Sequence, residues 1–178
     1  TANRTDTFSI SPADFATVSH DISQTNLYFY GSLRPTESAL VSAGLAFDSF
    51  KQERLVSREK AAPKLGLSWR APSDWTIRAA AFRTVKRSLI SDQTIEPTAI
   101  AGFNQFFDEP NGTVSEQIGL AADKKWNWRR FSGISLTKRE LSVPVVFPSG
   151  TENVVWTERG ARAYGYLVAT DRITLSGE

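Results

Sequence analysis

The sequence predicts an all-β chain, and three observations carry this prediction. Apolar and polar residues alternate with a period of two in many stretches, which is the spacing of a strand with two different faces. Helical spacing is almost absent, with one turn predicted over residues 11–17, where Ser11 and Pro12 would start it. The connections between the alternating stretches are short and long in turn. We therefore expect residues 1–178 to form a single β-rich unit.

The composition excludes most catalytic and metal chemistry. The sequence has no Cys and a single His, His20, so disulfides, zinc fingers and Cys/His nucleophile pairs are excluded. The net charge of +2 is too balanced for a nucleic-acid footprint. No stretch approaches the roughly 18 apolar residues of a membrane-spanning helix. If this chain meets a membrane, we expect it to cross as strands.

Eight stretches are predicted to be strands. In chain order they are residues 26–33, 41–48, 63–70, 75–85, 117–123, 133–139, 160–168 and 173–178. Residues 1–21 are expected to form an outer loop or a partial strand, and residues 22–178 a meander.

The two faces of these strands differ in an unusual way. In residues 63–70, Leu65, Leu67 and Trp69 share one face, and the opposite face carries Lys64, Gly66, Ser68 and Arg70. A soluble sandwich would bury the bulky face and give the other to solvent. Here the second face mixes Gly, Ala and Ser with Arg and Lys, which suits the crowded or wet lumen of a transmembrane barrel.

The connection lengths and the tryptophans favour the same interpretation. Short connections are expected at residues 34–38, 71–74, 124–129 and 170–172, and longer ones at 52–62, 86–113 and 140–159. Transmembrane barrels alternate short periplasmic turns with long outer loops, and carry aromatic girdles at the membrane interfaces. Trp69, Trp75, Trp126 and Trp128 all lie beside short turns.

These patterns predict an antiparallel up-and-down transmembrane β-barrel in the bacterial outer membrane. The first strand would descend from the long-loop side, and the last stretch is shorter than the roughly 9 to 11 residues of a spanning strand. We therefore expect about eight strands of a larger barrel.

Several segments resemble a known group of bacterial proteins. They are residues 14–18, 20–21, 63–67, 77–83, 89–98 and 101–108. Together they resemble the C-terminal β-barrel region of outer-membrane proteins that carry tetratricopeptide repeats or look like TonB-dependent receptors. The resemblance implies an outer-membrane location, with a repeat domain or further strands of a longer chain as partners.

Basic residues dominate the charges predicted to line the lumen. The candidate lining residues are Lys64, Arg70, Arg78, Lys86, Asp123 and Arg139. An excess of cations favours anionic or heavily hydroxylated solutes. The alternative is that these charges pair with acids on strands of the larger barrel that lie outside this chain.

The longest predicted loop contains an aromatic and amide cluster. Its members are Phe103, Asn104, Gln105, Phe106, Phe107 and Asp108, with Glu109 directly after them. A loop of roughly 28 residues is seldom without function, so the cluster is predicted to recognise a solute or to gate the lumen. The alternative is that Ile95, Ile100, Phe103 and Phe106 only anchor the loop to the barrel wall.

Two further motifs give weaker indications of function. Residues 124–130 interleave bases with Trp126 and Trp128, which would suit single-stranded nucleic acid, but a turn beside lipid headgroups explains them better. His20 and Asp21 resemble a base with its orienting carboxylate, but no nucleophile motif accompanies them. We predict no enzyme activity, metal, cofactor or nucleic-acid partner.

The leading functional hypothesis is passage or docking of a polar or anionic solute or a polysaccharide, with outer-membrane lipid around the barrel. The alternative is a soluble β-barrel that binds a small hydrophobic ligand in its interior. That alternative reverses the faces and places Leu65, Leu67, Ile118, Leu120, Ile134 and Leu136 inside.

Overall fold

A computed structural model describes residues 2–11, 14–52, 56–87, 96–106 and 109–178, with side chains described from Ile22 onward. The described residues form strands and turns and no helix. The strands are β1 (Ala2–Ser11), β2 (Asp14–Thr36), β3 (Ala39–Gln52), β4 (Val56–Ala71), β5 (Trp75–Val85), β6 (Ala99–Ile100), β7 (Phe103–Asn104), β8 (Val114–Asn127), β9 (Arg130–Phe147), β10 (Gly150–Thr170) and β11 (Ile173–Gly177). The chain is therefore all-β, as predicted.

Nine of these strands form one antiparallel sheet in the order β1-β2-β3-β4-β5-β8-β9-β10-β11. Each strand pairs with its sequence neighbours, except that the small β6–β7 hairpin is inserted between β5 and β8. Among the described residues β1 and β11 do not pair with each other, so this sheet is not closed. Such a meander needs only hairpin connections, which explains how the sequence encodes it locally.

All eight predicted strands are present, and β5 has the predicted bounds. Two predicted outer loops, 52–62 and 140–159, are wrong. In their place β4 begins at Val56, and β9 and β10 continue to a hairpin whose strands pair from Phe147 and Gly150 inward. The β-branched residues Val143, Val145 and Val154 favour strand, although the alternation of the two faces is lost there.

The helical turn predicted over residues 11–17 is also wrong. Ser11 ends β1 and pairs with Asp14 at the start of β2. A single helical turn forms few backbone hydrogen bonds, whereas the long β1–β2 ladder forms many. The ladder is therefore more stable than the helix start that Ser11 and Pro12 would favour. Strands thus occupy the described part of residues 1–21.

The register aligns apolar side chains across the sheet. Leu67 lies opposite Ala79, Ala79 opposite Leu120, and Leu120 opposite Leu136. We call this side of the sheet the apolar face; its exposed members include Leu27, Phe29, Leu45, Phe47, Leu65, Leu67, Ile118, Leu120, Ile134 and Leu136. Leu120 keeps 62% of its surface exposed.

The opposite side, which we call the polar face, is the covered one. Buried residues on it include Asp48, Lys64, Gln117 and Asp123. A small hydrophobic core also lies there, formed by Ala80, Phe82, Ile100, Phe103 and Ala121. Burial is therefore inverted relative to a soluble β-sheet protein, in which the bulky apolar face would be the buried one.

Candidate functional site

Residues 86–113 are called the crossing loop, and the parts of it that the structure describes form the candidate site against the polar face. Its described parts are residues 86–87, 96–106 and 109–113. At its centre β6 and β7 form a hairpin whose two turn residues, Ala101 and Gly102, both have positive φ, at 48° and 81°. Two positive φ angles match the twist of a two-residue hairpin. Gly102 adopts its positive φ without strain because it has no Cβ.

Glycines of the sheet provide the space in which this hairpin sits. A Cβ on Gly66 would lie 2.8 Å from Cγ2 of Ile100, and one on Gly119 would lie 2.5 Å from the Phe103 ring. Ile100 and Phe103 pack with Ala80, Phe82 and Ala121. The small residues of the polar face therefore leave the space that the crossing loop fills.

A buried ionic network holds the beginning of the crossing loop. Lys64 on β4 lies 2.7 Å from Glu96, which also accepts a hydrogen bond from Arg87 at 2.7 Å. The hydroxyl of Tyr30 on β2 donates to the same carboxylate at 2.5 Å. Lys64 also donates to the side chain of Gln105. Since buried charges are costly unless they are paired, these partners depend on one another.

Glu96 remains ionised in this network. Burial opposes its ionisation, but hydrogen bonds from Lys64 and Tyr30, together with the charges of Lys64 and Arg87, outweigh burial and hold the pKa of Glu96 below its ordinary value. The negative charge of Glu96 is thus available to link β2, β4 and the loop at neutral pH.

A second network is centred on Arg78 of β5. Its guanidinium donates to Asp123 on β8 at 2.6 Å, to the Tyr164 hydroxyl on β10 at 3.0 Å, and to the carbonyl of Ala101 at 3.2 Å. The same guanidinium lies 5.5 Å from the centre of the Phe103 ring. One cation therefore joins the sheet to the tip of the hairpin through hydrogen bonds and a cation–π contact.

A third network holds the far end of the crossing loop. Arg139 on β9 lies 2.7 Å from Glu158 on β10 and donates to Glu109 of the loop. Its guanidinium is 5.0 Å from the centre of the Phe106 ring. The loop is therefore held against the sheet by charges near its beginning, at its tip and near its end.

The six predicted lining residues do not all join these networks. Lys64, Arg78, Asp123 and Arg139 do, and their partners are acids and hydroxyls within the described chain rather than acids outside it. Lys86 is buried where the crossing loop begins, and its backbone pairs with Thr113 and Gly112. Arg70 is exposed near the short turns and donates to the Glu37 carbonyl.

The loop cluster divides between anchoring and exposure. Phe103 and Gln105 are buried anchors, whereas Asn104 and Phe106 are exposed. Phe107, Asp108 and Ile95 lie outside the described residues. The sequence did not single out Glu96, Tyr30 or Tyr164, and it placed Glu109 in the loop cluster without its pairing to Arg139. An acid in a loop predicted to face a basic lumen was a signal for Glu96.

The four predicted interface tryptophans are exposed on the short-turn side. Lys124 lies 5.3 Å from the Trp75 ring centre and 5.6 Å from that of Trp126, and Arg129 lies 4.2 Å from Trp128. The basic and aromatic residues of 124–130 thus contact each other around a turn. His20 and Asp21 belong to the part of β2 whose side chains are not described.

Comparisons with protein-family models, with curated proteins and with solved structures gave no match to this chain. Over the residues described, no helix is long and apolar enough to cross a membrane. In the same residues no group of His, Cys, Asp and Glu is suited to hold a metal ion.

Proposed function

We propose that this chain is a segment of an outer-membrane β-barrel that serves passage or docking of a polar or anionic solute or a polysaccharide. The observation that carries the proposal is the inverted burial of the sheet. Bulky apolar side chains are exposed along one face, while charged groups and a folded loop occupy the other. This distribution is favourable in a lipid bilayer, because acyl chains contact the apolar face and the charged groups stay away from lipid.

The dimensions of the apolar face support a membrane location. On β4 its apolar side chains run from Ala61 to Trp69, which spans about 26 Å along a strand and about 20 Å after a typical tilt. Charged pairs lie beyond it on the loop side, at Lys51–Glu59, Arg83–Glu116 and Lys138–Glu140. Exposed tryptophans lie on the other side, as an interface would require.

The crossing loop supports a role in selection. A segment folded onto the lumen side of a barrel narrows the passage and brings its own side chains to the solute. In this proposal Lys64, Arg78 and Arg139 hold the loop in place, and Asn104 and Phe106 meet the solute.

The alternative function is a soluble barrel with a small hydrophobic ligand on the apolar face. One observation favours it: a groove of about 460 Å³ at the loop-side end of that face. It is lined by Leu65, Ala81 and Ile118 and is bordered by the charged pairs Arg83–Glu116 and Lys138–Glu140. Against it, the apolar side chains are exposed and the loop covers the opposite face. Acyl chains of lipid would fill the same groove.

The substitution Leu120→Arg separates the two functions. At the middle of a lipid-facing strand it should cost about 2–4 kcal/mol and block insertion into micelles or vesicles. The measurement is heat-modifiable migration on a gel after refolding with and without detergent. Leu120→Ala controls for lost size, and Ser57→Arg adds the same charge to an exposed β4 position beyond the apolar residues.

Insertion of the parent chain and of Ser57→Arg, with loss for Leu120→Arg, is the expected result. A chain that is folded and monomeric without detergent would overturn the membrane proposal. In that case Leu120→Arg should instead impair binding of a hydrophobic dye.

A further inference from the structure

A pocket of about 380 Å³ lies between the crossing loop and strands β8–β10. Its loop side is formed by Phe103, Asn104 and Phe106. Its sheet side includes Gln117, Ser135, Thr137, Arg139, Glu158 and Arg162. The volume falls within the range of small-ligand pockets, and the lining combines aromatic carbon with amides and hydroxyls.

Gln117 is the most informative residue of this lining. Only 6% of its surface is exposed, yet its side-chain amide has no hydrogen-bond partner among the described residues. The amide nitrogen and oxygen border the pocket and are not sealed from solvent, so they are open to hydrogen bonds with a ligand there. Asn104, Ser135 and Thr137 likewise have side-chain groups free to bond within the described chain.

The charges around the pocket are already matched. Arg139 pairs with Glu158 and Glu109, and Arg162 pairs with Glu178 at 2.6 Å. The remaining cation that borders the pocket, Arg159, alternates with Glu158 along β10, so its side chain belongs to the apolar side of the sheet. Among the described residues, the groups free to bond on the pocket side are neutral donors and acceptors. A neutral ligand with many hydroxyls fits this inventory.

The aromatic groups complete the match. Phe106 keeps 45% of its surface exposed at the pocket, and its ring is oriented beside the Arg139 guanidinium. A sugar ring presents C–H groups on its faces and hydroxyls around its edge, so it can contact carbon and amides at once. Amides of Gln and Asn offer a donor and an acceptor to neighbouring hydroxyls.

We propose that this pocket binds an uncharged saccharide, with Gln117 and Asn104 bonding its hydroxyls and Phe106 packing against its ring. The proposal rests on the proposed function, through which the solute would reach the pocket, and it narrows the class of solute to uncharged saccharides. It separates two kinds of polar residue on this side of the sheet: paired charges hold the loop, and unpaired neutral groups hold the solute.

The test is titration of the full chain, refolded in detergent micelles, with maltotriose and with oligogalacturonate as its charged counterpart. Saturable maltotriose binding is expected by calorimetry, and Gln117→Met should weaken it about tenfold because one hydrogen-bonded group is lost. Gln52→Met is the matched control. Asn104→Ala, with Asn111→Ala as control in the same loop, gives a second comparison at an exposed position that folding does not need.

Weaker binding by Gln117→Met and Asn104→Ala, with both controls unchanged, supports the proposal. Preference for oligogalacturonate, unchanged binding by both variants, or no maltotriose binding would overturn it. Micelle-dependent folding is read separately by heat-modifiable migration. If only maltotriose binding fails, the membrane role stands; if the chain folds without detergent, the same titration in buffer tests the pocket alone.

Discussion

The apolar face and the polar face are built from alternate residues of the same strands, yet different things cover them. On β4, Leu65 and Leu67 are exposed, while Lys64 and Gly66, which alternate with them, are buried beneath the crossing loop. Large apolar side chains of the apolar face stay exposed in the part of the chain that the structure describes, so under the proposed function lipid would stabilise this face. The polar face gains its stability from contacts within the chain, most of them directional and charged.

This difference teaches how such a chain can specify a structure with a small hydrophobic core. Apolar contacts are non-directional and would allow the loop to slide. The ion pairs of Lys64 and Arg139 and the hydrogen bond from Arg78 to the Ala101 carbonyl fix three points of the loop. The absence of side chains at two glycines of the sheet, Gly66 and Gly119, sets how closely the loop approaches it. We infer that loop position is set by polar contacts and membrane position by apolar ones.

The largest expected effect comes from Glu96→Ala, which leaves buried Lys64 and Arg87 without their shared carboxylate. Removal of one partner from a buried pair costs about 3–5 kcal/mol. The crossing loop should detach at its beginning while the sheet remains, so limited proteolysis of the micelle-bound chain should cut within residues 86–113.

Two controls sharpen this result. Glu96→Gln keeps the acceptor oxygen and should release the loop less, and Glu59→Ala removes an exposed carboxylate paired with Lys51 at 3.2 Å. Equal protease resistance of Glu96→Ala and Glu59→Ala would show that the network does not hold the loop.

A smaller effect is expected from Gly119→Leu, whose side chain would occupy the space that the Phe103 ring fills. Overpacking typically costs about 1–3 kcal/mol, and here the hairpin can move away to relieve it. Loop proteolysis should increase and maltotriose binding should weaken. Gly177→Leu, at a glycine with open space around it, is the control. A Gly119→Leu chain with an unchanged loop would contradict the close contact between Gly119 and the Phe103 ring.

The strands that face lipid in the proposal could be predicted because one constraint dominates them. In residues 63–70 and 117–123 every second side chain must be apolar, so the pattern is visible in the sequence. Beyond the apolar face neither side of the strand has that requirement. The extensions 140–147 and 150–159 therefore looked like loops although they are paired strands.

The sheet half of the candidate site could be predicted from the sequence, and the loop half could not. The face of Lys64, Arg78, Asp123 and Arg139 follows from alternation alone. Their loop partners Glu96 and Glu109 do not, because the path of the loop depends on the positive-φ turn at Ala101 and Gly102 and on the space left by glycines of distant strands. Contacts of that kind join residues far apart in sequence, which no local pattern records.

The smallest expected effect concerns Arg83 and Glu116, a pair on the apolar side of the sheet. Their closest N–O distance is 2.5 Å, against 2.6 Å for Arg78 and Asp123, so geometry alone would rank the two pairs as equal. Exposure differs: the two side chains of the outer pair are 35% and 56% exposed, and those of the inner pair 19% and 7%. An exposed pair is worth roughly 0.2–1 kcal/mol and weakens with salt.

Double-mutant cycles with alanine at both pairs, read by urea unfolding in micelles, therefore compare the faces directly. The Arg83–Glu116 coupling should be small and should fall at high salt, and the Arg78–Asp123 coupling should be larger and less sensitive to salt. Equal couplings would mean that water reaches both faces alike. The inner pair could then no longer be counted as part of a dry contact between the sheet and the crossing loop, and the tip of the loop would have to be held by the packing of Phe103 and Ile100.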